Sequence, residues 1–178
     1  MMKWIKDFLK ANQDKKILIM PIGISGSGKT TFFNELKEEF NIAYVSFDKI
    51  RVEHFLKNFS EYKDKPVSEI YKKTYFYASE SKLKPLKIAK KQILETDKNI
   101  VYVDNTNLKK KTRNKILHIA NGFLKLGIYF NVELKEAIER QTLKDRDKYI
   151  SPKLIKEQIK MKEEPDLKEF NLIIKKGI

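Results

Sequence analysis

An apolar hexapeptide, Ile17-Leu18-Ile19-Met20-Pro21-Ile22, runs straight into Gly23-Ile24-Ser25-Gly26-Ser27-Gly28-Lys29-Thr30. The octapeptide fits G-x-x-x-x-G-K-T without a mismatch. Its apolar prefix reads as a strand buried on both faces, and Thr30 to Phe40 reads as a helix with Phe33, Leu36 and Phe40 inward. A strand, a glycine-rich loop and a helix in that order make a phosphate cradle. Backbone N–H groups wrap the anion, and the helix N-terminus adds favourable potential. Gly23, Ser25, Gly26, Ser27, Gly28 and Thr31 are expected to supply or permit those contacts. Lys29 would place its charge on the β- and γ-phosphates, and the Thr30 hydroxyl would ligate Mg²⁺. The expected ligand is ATP or GTP with Mg²⁺.

The alternation of strand and helix continues along the chain. Ala43–Phe47, Ile100–Val103, Ile128–Val132 and Leu172–Ile174 read as further strands. Helices are expected near 4–11, 49–58, 67–80, 85–95, 109–126, 134–143 and 152–162. Gly127 is the expected stop of the fifth of these, and Ser151-Pro152 the start of the last. Such a pattern implies an α/β sandwich in three layers, with a mostly parallel sheet of about five strands. The 178 residues are expected to form one domain, with 1–15 a helical extension and about 140–162 a helical lid.

Ligands on open parallel sheets sit beyond the carboxyl ends of the strands, so residues there are the candidates for chemistry. Asp104, after Ile100–Val103, is expected to hold Mg²⁺; its plainer role would be a helix cap within Asp104-Asn105-Thr106-Asn107. Asp48 closes the second strand, with Arg51 three residues on and on the same helical face. The carboxylate could take a proton from an attacking hydroxyl, and the guanidinium could hold an acceptor's anionic group. A helix-capping Asp with a surface salt bridge fits the same residues equally well. Arg140 and Arg146 bracket a charged stretch that includes Lys144 and is followed by Lys148. These cations read either as a lid over the triphosphate or as a solvated helix end.

The net charge of +14 fits a polyanionic partner, and it fits equally a chain that uses lysine as its default surface residue. Only four of the 38 basic residues are arginines (Arg51, Arg113, Arg140, Arg146), so each is a candidate for a task needing guanidinium geometry. The absence of cysteine excludes disulfides, thiolate metal sites and cysteine nucleophiles. No run is long enough for a membrane span and Met1-Met2-Lys3-Trp4 does not open a signal peptide, so the chain is expected in the cytoplasm, away from membranes. His54 and His118 lack metal-ligand spacing.

Taken in order, the Gly23–Thr31 loop, Asp48-x-x-Arg51, Val103-Asp104-Asn105-Thr106-Asn107-Leu108 and Arg140/Arg146 resemble the kinase domain of phage-type polynucleotide 5′-hydroxyl kinases. They also resemble the small P-loop kinases around that group, zeta-toxin-like enzymes included. The resemblance covers about residues 16 to 162. It implies that Asp48 is the general base on a ribose 5′-hydroxyl, that Arg51 contacts the acceptor's phosphate, and that lid cations touch the donor phosphates. Arg140 matches the first lid arginine; Lys144 stands at the family's four-residue spacing, with Arg146 two residues later. Asn105 stands where one relative has its acid, and Asn105, Thr106 and Asn107 are expected on the acceptor side. No phosphatase segment follows, so 3′-end repair is not expected. Transfer to a small molecule (a nucleoside, a sugar or a zeta-toxin-like substrate) and a nucleotide-dependent switch or ATPase are the alternatives.

Overall fold

The computed structural model describes residues 2–80, 83–143 and 148–177. The elements run α1 (Met2–Ala11), β1 (Ile17–Ile22), α2 (Lys29–Lys37), β2 (Ile42–Ser46), α3 (Phe47–Asn58), α4 (Val67–Glu80) and α5 (Pro85–Glu95). They continue with β3 (Ile100–Asp104), α6 (Lys110–Ile119), β4 (Leu124–Phe130), α7 (Leu134–Glu139), α8 (Pro152–Lys160) and β5 (Leu172–Lys176). Short 3-10 turns occupy Ser60–Tyr62 and Arg140–Thr142.

The strands form one sheet in the order β2-β3-β1-β4-β5, with every pairing parallel. β1 is central, and all six of its residues are buried. Strand geometry then sends alternate side chains to opposite faces. Leu18, Met20 and Ile22 join a cluster with Ile50 of α3, Ala89 and Ile93 of α5, and Ile116 and Leu117 of α6. Ile17 and Ile19 join another with Ile5 and Leu9 of α1 and Phe32 and Leu36 of α2. Helices therefore cover both faces of a five-stranded parallel sheet, as the apolar runs and their spacing imply. No helix among the described residues is long and apolar enough to cross a membrane.

The helices expected to reach Phe40 and residue 143 end sooner, at Lys37 and Glu139, and one boundary departs further. α6 stops at Ile119 and the chain turns at Gly122, which has φ 81°, so β4 begins at Leu124. Gly127 is therefore inside a strand and does not end a helix. It is small because Phe170 packs on it: a Cβ there would lie 3.0 Å from the ring. The run from Phe123 to Phe130 is apolar enough to suit either a helix end or a buried strand, and pairing with β1 decides for the strand.

Register brings the chemistry together. Ser46 at the end of β2 stands beside Asp104 at the end of β3, and the loop after β1 follows the strand on the other side of β3.

Candidate active site

The glycine-rich loop is shaped by close approach as much as by conformation. Gly26 and Gly28 adopt φ 87° and 91°, where other residues are strained. A Cβ on Gly23 would meet Ser27 Oγ at 2.6 Å and Phe130 Cβ at 2.9 Å. α2 starts at Lys29 directly from left-handed Gly28, which aims its N-terminus at the loop. The Lys29 ammonium folds over the loop, donating to the carbonyls of Gly23 at 3.0 Å and Ile24 at 2.7 Å. From beneath, Tyr102 of β3 donates its hydroxyl to the Lys29 carbonyl at 2.8 Å. From above, Arg140 donates to the Gly26 carbonyl at 2.9 Å and pairs with Glu136. Arg140 thus lies on the loop and is no mere solvated helix end. Lys144 and Arg146 lie outside the described residues.

Asp48 does not cap α3. Ser46 does, accepting from the Lys49 N–H at 3.3 Å. Asp48 instead sits in the first turn, where Arg51 holds Oδ1 and Lys148 holds Oδ2. Burial works to raise its pKa, but the charges and hydrogen bonds of Lys148 and Arg51 outweigh that, holding the carboxyl below the usual carboxylate range. Lys148 is itself seated over the Tyr71 ring, 5.3 Å from its centre. Asp104 is likewise not a cap; Tyr44 of β2 donates its hydroxyl to Oδ2. Burial, then the Asp104 charge, drives the Tyr44 phenol far above its ordinary value, so it stays a donor.

Two cavities meet at these residues. The larger, of about 1080 Å³, is lined by the loop from Gly26 to Thr31 and by Tyr44, Asp48, Asp104 and Arg140; Lys37, Lys49, Lys148 and Lys176 also reach it. The smaller, of about 310 Å³, is lined by Ser25, Arg51, Asn105, Thr106, Ile150 and Gln158, and it shares Gly26, Lys29, Thr30, Asp48, Asp104 and Lys148 with the larger. Asn107 lies beneath the site and does not line either cavity. Only 1% exposed and at φ 50°, it donates to the carbonyls of Pro21 at 2.8 Å and Val103 at 3.2 Å, tying β1 to β3. Its expected acceptor contact is thereby replaced by bracing, since burial removes it from any ligand's reach.

Tyr44 and Tyr102 look like ordinary strand residues in the sequence, and neither they nor Gln158 carry a signal of their place in the site. The rarity of arginine singles out Arg113 in the sequence without pointing to its task. It is fully buried, makes two bonds to Glu169 at 2.9 and 2.8 Å, and donates to the carbonyls of Asn107, Leu108, Glu163 and Glu164. Nothing in the local pattern around Arg113 points to a carboxylate 56 residues away.

A family model described as an AAA domain matches residues 18–165, from the start of β1 to beyond α8. The chain belongs to this AAA domain family. Its fold is kinase-like: a gluconokinase from Sinorhizobium meliloti 1021 superposes with a TM-score of 0.58 at 17% identity, over 90% of this chain and 82% of its own. A chain of the Pnkp1/Rnl/Hen1 complex is also similar, at 21% identity over 74% of this chain and 41% of its own, with a TM-score of 0.45. No curated protein matches in sequence. P-loop kinases of this fold generally use ATP and Mg²⁺. The residues of this AAA domain fit both. Thr30 and Asp104 line the same two cavities and offer the hydroxyl and carboxylate oxygens that a hard cation takes.

Proposed function

We propose that the protein is a kinase that transfers the γ-phosphate of ATP (or GTP) to the 5′-hydroxyl end of RNA or DNA. The observation that carries the reading is Asp48, an ionised carboxylate on the wall shared by the two cavities that the loop also lines, with Arg51 on one oxygen and Lys148 on the other. In this reading Lys29 and Arg140 hold the donor phosphates, with Gly26 to Thr31 as the cradle and Lys144 and Arg146 as further lid cations. Thr30 and Asp104 would hold Mg²⁺, whose charge, when bound, offsets that of the phosphates.

Asp48 accepts the proton of the acceptor hydroxyl as the oxygen bonds to the γ-phosphorus. The bond from that phosphorus to the β–γ bridging oxygen breaks, and ADP leaves. Each carboxylate oxygen has a second lone pair, so Arg51 and Lys148 orient Asp48 without filling it. A weak base suffices, because in a loose transition state the proton is needed only late. Arg51 meets the acceptor's phosphate, with Asn105 and Thr106 beside it, and Asn107 keeps their loop in place.

The larger cavity favours a polymer. Beyond the loop and Arg140 its walls carry Lys37, Lys49, Lys148 and Lys176 as well as Glu133 and Glu136, and a row of lysines suits a phosphate backbone. The smaller cavity, about 310 Å³ and so within the range of small-molecule pockets, favours a second reading in which the acceptor is a free small molecule. Incubation with γ-labelled ATP, Mg²⁺ and a panel of acceptors separates the two. Label on a 5′-hydroxyl oligonucleotide, and none on its 5′-phosphorylated form, is the expected result. Label on sugars or nucleosides alone would move the assignment to the second reading.

A further inference from the structure

Gln158 of α8 reaches the loop from 133 residues away and bonds it twice. Its Oε1 accepts from the Ser25 N–H at 2.7 Å, and its Nε2 donates to Ser25 Oγ at 3.1 Å. Only one orientation of the carboxamide satisfies both bonds, so the assignment of its oxygen and nitrogen is fixed by the pair. The Ser25 N–H is therefore already engaged, which sets it apart from a free phosphate donor. The Ser25 oxygen is already an acceptor, so its single hydroxyl hydrogen is directed elsewhere.

Ser25 also stands on the Arg51 side of the loop. Ser25 and Gln158 line the smaller cavity with Arg51 and do not line the larger cleft. The cavity borders the nucleotide side through Lys29, Thr30 and Asp104, and away from them it holds Arg51 and Lys148, both paired with Asp48, beside the Gln158 amide and the Ser25 hydroxyl. Asp48 stands among them as the group that takes a proton from its ligand. Such a set matches an oxygen-rich group that carries one reacting hydroxyl.

We infer that Ser25 and Gln158 form one acceptor-recognition element, in which Gln158 orients the Ser25 hydroxyl to donate to a sugar oxygen of the acceptor. The inference rests on the kinase reading above, though not on the acceptor being a nucleic acid. On this inference Ser25 contacts the acceptor, where the loop motif alone leads one to expect a donor-phosphate contact.

Steady-state kinetics on Ser25→Ala, Gln158→Glu and the double variant test it, with ATP and a 5′-hydroxyl oligonucleotide each varied. Ser25→Ala removes one hydrogen bond, so the acceptor KM should rise about 5–15-fold while the ATP KM moves less than about twofold. In Gln158→Glu the carboxylate still accepts the Ser25 N–H, but it also draws in the Ser25 hydroxyl hydrogen. The acceptor KM should therefore rise by a similar factor with little change in melting temperature. The double variant should be no worse than either single one by more than about twofold, because the two residues act as a unit. A rise in the ATP KM in place of the acceptor KM would overturn the inference, as would losses that simply follow melting temperature. A wild type that labels sugars and not the oligonucleotide would overturn the nucleic-acid reading alone, and the same variants are then read on the sugar. A wild type that labels neither overturns both.

Discussion

Among single residues, Asp48 has the most revealing surroundings. Burial opposes its charge, and Lys148 and Arg51 more than offset burial. Its folded pKa is thus lower than its unfolded value of about 4, so its contribution to stability is present above that value and lost as pH falls through the folded one. The carboxylate is ionised across the neutral range, and it should put no acidic limb on kcat/KM above about pH 5. Arg51→Ala takes away one of the two cations and leaves burial with more weight. The acidic limb should then move to higher pH, whatever happens to the height of the profile. A pH–rate series checks this, and an unchanged limb would separate Asp48 from the proton transfer. Asp48 and Arg51 were legible because their spacing is local. Lys148 was visible as a late cation, yet its pairing with Asp48 spans 100 residues and leaves no sequence pattern.

At the scale of elements, the loop between β3 and α6 is held by a buried pair. Arg113 of α6 and Glu169 are almost fully enclosed, and the same guanidinium gathers carbonyls from that loop and from the chain after α8. Removing one partner strands the other charge in the interior. Arg113→Met should cost about 3–5 kcal/mol in denaturant unfolding, and adding Glu169→Met should recover much of it. A single-variant cost under about 1 kcal/mol would mean the loop is anchored otherwise. The strands themselves were readable, since β1 and β3 are short apolar runs ending in loop or acid. The start of β4 was not, because Phe123 to Leu126 suits helix and strand alike until β1 supplies a partner and Phe170 fills the space over Gly127.

For the molecule as a whole, the net charge of +14 was ambiguous in the sequence, and the fold gives part of it a place. Lys37 at the end of α2 and Lys49 in the first turn of α3 both line the larger cavity, over the rings of Phe33 and Tyr44 respectively. If a strand follows that wall, the acceptor KM for a long oligonucleotide should worsen with salt, by about 0.7 in the log–log slope for each phosphate contacted. Lys37→Glu with Lys49→Glu should flatten that slope and leave a trinucleotide's KM nearly unchanged. An equal slope in wild type and variant would put the polymer elsewhere. The family and fold came from the strand–loop–helix core, which P-loop kinases share, whereas the proposed acceptor side draws on side chains of α3, α8 and the β3–α6 loop.

Asp48 is the group that would make the loop's nucleotide site into a transfer site. Asp48→Ala, assayed for label transfer to a 5′-hydroxyl oligonucleotide and for ATP binding in the same preparation, tests that most directly. Transfer should fall by about 10²–10⁴-fold with ATP affinity retained. Transfer that survives the substitution within a few-fold would contradict it.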